Sequence, residues 1–490
     1  MAQSTAAPPI AASEPAPGSD PFARLRQQVE ERLHRFGQGP VTPLAAYTLE
    51  KELKALFDEA ARALLEQAFN RLEPEDKAQA AARVRYQGQT YRINKKTPSQ
   101  VATSFGPITL RSFLYLCCED GEPGLHPLQV RLGVVAGGAT ALLAERVARW
   151  AVDYSQQEVR QWLEAEHGLR WSNDRLRQVL RAFRRTAVAF REEAQVQRLR
   201  QWLDQAQRSR GHHRPALAVG RDGVLVPIRG AGYQEASAAT VSVYDRRGRR
   251  LGTVYLGQMP EAHQPTLSAD LTALVTAVLR QGPGPLPRLV YVTDKGQAQD
   301  DYYRRVLRRL PDPRQPGRRL AWEWVLDFFH VCGYLSQLAE ALFAGQGRRW
   351  YERMRHWLRH RAQGVAQVLR SAMQHLARRR LPRAAAEQFW KAYGYLRRHS
   401  RWMDYARYRR LGLPIGSGVT EAACKTVFTQ RLKRSGMCWH KESGQVIVDL
   451  RTLHLSGVWQ DVVRRDLQAR ALPERVSYQL QARRSRRKAA

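Results

Sequence analysis

The sequence predicts a mixed α/β protein. A five-stranded core is interrupted by a long helical segment and preceded by a mainly helical region that holds one small β-hairpin. Three observations carry that reading. Apolar residues recur at helical spacing through most of the stretch before residue 210. From about residue 214 they gather into short buried runs bounded by Gly, Pro and Asp. From 328 to 412 the helical period returns and runs almost unbroken.

Taken in order, residues 1–20 are rich in Ala, Pro and Ser and read as a disordered leader. Residues 42–83 read as helix, with Leu49, Leu53, Leu56 and Phe57 at helical spacing. GQTYRI and SQVATSF, the turn residues Gly106 and Pro107, and ITLRSFLYLC then predict the hairpin. Residues 139–207 return to helix. Within them two short amphipathic helices are split by Gly168, and Ser172 is suited to cap the second. This spacing suits a helix-turn-helix whose second helix carries Arg175, Arg177 and Arg181 towards a DNA groove; an ordinary helical hairpin with a solvated basic face fits the same pattern. Cys117, Cys118 and His126 lack a second ligand pair at metal spacing and read as structural.

The core begins with the strand ALAVGRDGVLVPI, which contains Asp222. ATVSVYD and LGTVYLG form a hairpin around RRGRR, and Leu271, Leu274, Val275 and Val278 mark a helix. RLVYVTD is a buried strand ending in Asp294, DDYYRRVLRRL a helix, and AWEWVLD a last strand. The order β-β-β-α-β-α-β is that of a ribonuclease-H-like core. Residues 328–412 are Arg-rich helix carrying Trp350, Trp357, Trp390 and Trp402. A helix over about 417–434 follows. The expected organisation is a leader (1–20), a helical and hairpin region (21–138), a helix-turn-helix-like domain (139–210), the first part of the core (211–330), an all-helical insertion (331–412), the rest of the core (413–475) and a basic tail (476–490).

Composition narrows the function. The 490 residues carry a formal charge of +35, which repels itself unless a polyanion compensates it. Arg donates in pairs to phosphate, so nucleic acid is the expected partner. A GC-rich genome explains Arg over Lys but not the shortage of Asp and Glu. No run of eighteen apolar residues is present, so no transmembrane helix is expected. The first residues lack the basic start and apolar stretch of a signal peptide. Five scattered cysteines make no disulfide framework, and a reducing cytoplasm is the expected setting.

Three acids stand where this architecture uses them. Asp222 lies on the first core strand, Asp294 ends the fourth, and Glu421 opens a helix after the turn IGSG. If the first and fourth strands are neighbours, their backbones lie roughly 4.8 Å apart, close enough for the two aspartates to share a pair of Mg²⁺ ions. Such ions, with Mn²⁺ as a substitute, activate a nucleophile and stabilise the leaving oxygen in phosphodiester cleavage. Each acid also has a plain reading, as a turn residue or a helix-start carboxylate.

The stretch GLPIGSGVTEAACKTVFTQRLKRSGMCWHKESGQVIVDLRTL resembles the C-terminal block of bacterial insertion-sequence transposases of the ISKra type, related to Mutator transposases. The matching residues are Gly416-Ser417-Gly418 with Glu421, Arg431 and Lys433, Gly436-Met437 with Trp439, and Leu450-Arg451. Asp327-x-x-His330 resembles the D-x-x-H signature of the same proteins. The resemblance covers roughly 215–460. It departs at Lys295, which stands where those proteins carry Gly directly after the second acid; this leaves Asp300 and Asp301 open as alternatives to Asp294.

The resemblance implies a DDE transposase acting on double-stranded DNA as a homo-oligomer in the bacterial nucleoid. Asp222, Asp294 and Glu421 would bind two Mg²⁺ ions, and His330 would touch DNA or scaffold the metal site. Arg431 and Lys433 would grip phosphates, and Asp327 and Trp439 would support them. A ribonuclease-H-like nuclease or resolvase without strand transfer, and a domesticated, non-catalytic DNA-binding protein, are the alternatives.

Overall fold

The structure, a computed structural model, describes residues 21–119, 123–281 and 284–476; the expected leader, and all of the expected tail but residue 476, lie outside them. By internal contacts the chain forms two units, one of 1–147, 155–182 and 470–490, the other of 148–154 and 183–469. The expected 139–210 domain is therefore shared between them.

The first unit opens with helices α1 (Pro21–Gln38) and α2 (Pro43–Asn70). Thr42 caps α2 by accepting the Ala45 amide. The helix expected over 42–83 stops at Asn70. Beyond it the chain turns into strand β1 (Arg83–Tyr86), followed by β2 (Gln89–Thr103) and β3 (Gly106–Cys117). The β2–β3 hairpin lies where the sequence puts it. β1 and the short β9 (Glu474–Arg475) extend the sheet to the order β3-β2-β1-β9. Side chains following from α2 finish the β3 edge: Glu66, Asn70 and Glu73 accept the amides of Thr109, Arg111 and Phe113. That satisfies an edge that otherwise invites pairing with another chain.

After α3 (Pro127–Arg131) come α4 (Ala141–Asp153), α5 (Gln156–His167) and α6 (Asn173–Ala189). Ser155 and Glu158 form a capping box at the start of α5, and Gly168 closes it at φ 63°. Ser172 accepts the Arg175 amide at the start of α6. The unit boundaries fall inside α4 and α6.

The second unit is built on a five-stranded mixed sheet. Helix α7 (Arg191–Arg208) leads into β4 (Ala216–Ile228), β5 (Gly232–Tyr244) and β6 (Arg250–Gln258), all antiparallel neighbours. Helix α8 (Pro265–Arg280) crosses to β7 (Arg288–Thr293), and α9 (Gln297–Arg305) to β8 (Trp322–Leu326). β7 runs parallel to both β4 and β8, giving the order β6-β5-β4-β7-β8.

Alternation along the strands divides the core. Leu217, Val219, Leu289, Tyr291 and Trp324 face one way, onto α7 and α8. Ala216, Ala218, Val290, Val292 and Val325 face the other, onto the helices that follow β8. Each such Leu or Val contributes about 2 kcal/mol of transfer free energy.

Those helices are α10 (Phe328–Phe343), α11 (Arg348–His360), α12 (Gly364–Leu376), α13 (Arg383–His399) and α14 (Tyr405–Arg410). α15 (Gly418–Ala423) then widens into a π turn over Cys424–Thr429, a local form frequent at functional sites. The short α16 (Gln430–Leu432) precedes α17 (Lys441–Leu455) and α18 (Trp459–Ala469). A Cβ at Gly257 of β6 would stand 2.7 Å from Val448 of α17, so a glycine lets that helix lie close on the sheet. Among the described residues no helix is long and apolar enough to cross a membrane.

Candidate active site

The acids converge through strand register. In the parallel pair, Gly220 of β4 stands opposite Val292 of β7. Asp222 follows Gly220 by two residues, and Asp294 follows Val292 by two. Thr293 of β7 stands opposite Leu326 of β8, so Asp294 and Asp327 follow their strands at the same edge. Asp222 and Asp294 line one cleft with Glu235, Glu261, His263 and Asp301.

Glu421 reaches the same edge from the other side of the chain. Thr420 Oγ1 lies 2.8 Å from Thr240 Oγ1 of β5. A Cβ at Gly220 would stand 2.0 Å from Thr420 Oγ1, so only glycine lets the Glu421 helix settle against β4 two residues from Asp222. One turn on, the buried Cys424 thiol donates to Asp222 Oδ2 at 3.6 Å. Asp222 Oδ1 accepts its own Gly223 amide at 2.8 Å. The Asp222 carboxyl is pushed up to about 6, chiefly by burial, with the charges of Asp294 and Glu421 adding to it. Burial and the same three acids raise the Cys424 thiol, so it stays protonated and acts as a donor.

Asp327 anchors the arrangement. It is fully buried and caps α10 by accepting the His330 amide at 2.6 Å. Its other oxygen accepts the Ser417 amide. The Phe328 amide donates to Ile415 O at 2.8 Å, and Ser417 Oγ donates to Glu421 Oε1 at 2.9 Å. The end of β8 is thereby tied to the GSG turn, and the turn to Glu421. His330 is exposed, with its ring 5.4 Å from that of Tyr334 and 5.9 Å from that of Tyr395. Tyr395 donates to the Asp294 carbonyl at 3.2 Å. His330 thus lies on the Asp294 side of the site.

Lys295 adopts φ 71°, the left-handed region that glycine enters freely and other residues at a cost of about 1–2 kcal/mol. Its ammonium lies 4.4 Å from the Trp324 ring, 3.8 Å from the Trp402 ring and 2.6 Å from Asp300 Oδ1. This cage holds the turn after Asp294 in its left-handed conformation. Asp300 is paired with both Lys295 and Arg304. Asp301 lines the cleft from α9.

The expected phosphate contacts divide. Arg431 is corrected: it is 1% exposed, donates to Ala151 O at 3.2 Å and lies over the Trp439 ring at 5.2 Å. A guanidinium so enclosed braces the fold and does not meet phosphate. Lys433 is exposed. Trp439 is buried, donates to Leu432 O at 2.9 Å, and exchanges backbone bonds with Pro227 and Arg229 at the end of β4. In the first unit, Arg175 donates to Gly137 O at 2.8 Å and lies 5.0 Å from the Trp171 ring. Arg177 and Arg181 are exposed, Arg177 beside Asp174 at 3.0 Å.

The acids fit a divalent cation by their chemistry. All three offer hard carboxylate oxygens, and their mutual repulsion, visible at Asp222, is what such a cation relieves. Among the described residues no three His, Cys, Asp or Glu side chains form a single ion-holding group. Sequence reasoning missed Ser417, Cys424 and Tyr395. Ser417 and Cys424 lie four residues before and three after Glu421, helical spacings that were available to find them; Tyr395 gave no signal. Comparison with known proteins finds no matching family model and no matching curated protein.

Proposed function

We propose that this protein is a DDE transposase with a ribonuclease-H-like core, which cleaves DNA at the ends of a mobile element and joins the freed ends to a target. The observation that carries the reading is that Asp222, on β4, and Asp294, directly after the parallel neighbour β7, line one cleft, with Glu421 brought beside Asp222 by Gly220 and Thr420. The strand order β6-β5-β4-β7-β8, three antiparallel strands followed by two parallel ones, supports the core assignment. The charge of +35 supports a polyanionic substrate.

In this reading Asp222, Asp294 and Glu421 would hold the Mg²⁺ ions. When bound, such ions lower the pKa of the attacking water or 3′-hydroxyl and stabilise the leaving oxygen. Asp327 holds the Ser417 turn so that Glu421 stays at the sheet edge. Cys424 and the Gly223 amide orient Asp222, and Tyr395 fixes the backbone of Asp294. His330 is exposed beside Asp294 to meet DNA, and Lys433, Arg177 and Arg181 offer charge to phosphates. A homo-oligomer would bring two element ends together.

The test is a joining assay. An oligonucleotide duplex carrying an element end with a free 3′-hydroxyl is incubated with supercoiled plasmid. Joined product with Mg²⁺ or Mn²⁺, little with Ca²⁺ and none in EDTA is expected. Nicks without joined product would favour a nuclease. Binding with neither would favour a non-catalytic DNA-binding protein.

A further inference from the structure

Helix α11 buries Trp350, Met354 and Leu358, which lie on one face. The opposite face carries Arg349, Arg353, His356 and His360, spaced by four, three and four residues and all exposed. That spacing keeps them in one straight row. A rise of about 1.5 Å per residue spreads the row over roughly 16 Å. Arg348 and Arg359 flank it and are also exposed. The single acid beside it, Glu352, is paired with Arg355 at 3.6 Å. Arg349 and Arg353 have no carboxylate partner among the described residues.

At its far end the row continues into α14, where Arg409 donates to His360 Nδ1 at 2.7 Å. It also ends near the candidate site. The Arg359 guanidinium lies 5.8 Å from the ring of Phe328, the residue after Asp327.

We propose that this face of α11 is a DNA-backbone track, which grips successive phosphates of the duplex flanking the position held at Asp222 and Asp294. The proposal rests on the DNA-cleaving reading above and adds the surface that holds the substrate. Arg349 and Arg353, exposed, without a carboxylate partner and one turn apart on the helix, repel each other by about 0.2–0.5 kcal/mol. A duplex, with one negative charge per roughly 1.7 Å of axis, relieves that repulsion. The row reads no sequence, because its flexible arginines present only charge, so it strengthens binding to every duplex alike.

The experiment measures binding of the full-length protein to a fluorescent 40-base-pair duplex by anisotropy, across a salt series. The wild type is compared with R349A/R353A and E352Q, whose exposed positions tolerate Ala and Gln within the helix; circular dichroism confirms the fold. Each phosphate contact contributes about 0.9 to the slope of log K against log salt. R349A/R353A should therefore bind with a slope shallower by about 2, equally for an element end and for unrelated DNA, and E352Q should bind slightly tighter. A double variant with the wild-type slope overturns the α11 track while leaving the function reading standing. A wild type that binds no duplex overturns both.

Discussion

Replacing Asp222 by Asn should make the metal-free protein more stable while abolishing its chemistry. The Asp222 carboxyl titrates at about 6 instead of its ordinary 3.8, so the folded chain holds that proton more tightly than the unfolded chain. Its ionised form therefore costs stability. The cost is absent below about pH 4, grows as pH rises towards 6, and is constant above. Two units at about 1.4 kcal/mol each give roughly 3 kcal/mol; partial exposure to the cleft reduces this to about 2 kcal/mol.

Asp222→Asn removes the charge and keeps an oxygen for the Gly223 amide. In EDTA at pH 7.5 the variant should unfold at higher denaturant, by about 2 kcal/mol, or a few degrees in a thermal scan. At pH 4 the advantage should vanish. Mg²⁺ should stabilise the wild type, by about 2.7 kcal/mol at a hundred times its Kd, and leave Asp222→Asn nearly unmoved. The assay is denaturant unfolding followed by tryptophan fluorescence at the two pH values, with and without Mg²⁺. Equal stability of the two proteins at pH 7.5, or equal stabilisation of both by Mg²⁺, would refute the reasoning that burial and paired acids strain this carboxylate.

Three further substitutions test other residues of this unit. Asp327→Asn puts an NH₂ group against an amide that now donates to a buried oxygen. It should cost about 2–3 kcal/mol and, by loosening the Ser417 turn, lower cleavage more than DNA binding; unfolding and cleavage measured in parallel check this, and cleavage lost only in step with binding counts against it. Arg431→Met should lower stability by about 3 kcal/mol without changing the salt dependence of DNA binding, because its donors serve the interior. Lys433→Ala should leave stability unchanged and make the binding slope shallower by about 0.9.

The core was legible because its strands announce themselves. RLVYVTD and AWEWVLD are short, apolar and bounded by turn residues, and both end in the acids that mark the sheet edge. The parallel pairing of β4 with β7 ends at Gly220 and Val292, two residues before Asp222 and Asp294. The first unit was less legible. Helix α1 is strongly charged and went unread, and the chain beyond Asn70 keeps helix-favouring Ala and Leu until β1 pairs with β2.

Burial of polar groups was the other blind spot. Arg431 sits in a motif with Lys433, and nothing in its spacing separates the arginine that enters the interior from the lysine that faces solvent. Lys295 shows the reverse. It occupies a left-handed backbone position that glycine enters freely, and two tryptophans and Asp300 hold it there.

The most direct test compares Glu421→Gln with Glu442→Gln in oligonucleotide cleavage with Mg²⁺, with DNA binding measured in parallel. Glu421 opens α15 at the sheet edge, whereas Glu442 is an exposed first-turn acid of α17. Both changes keep size and helix propensity and remove one charge. Glu421→Gln should bind DNA as the wild type does and cut several orders of magnitude more slowly, since a carboxylate that holds the activating ion is gone. Glu442→Gln should cut normally. Normal cleavage by Glu421→Gln would contradict the assignment of the third acid, and a dead Glu442→Gln beside it would show that the centre had been drawn around the wrong glutamate.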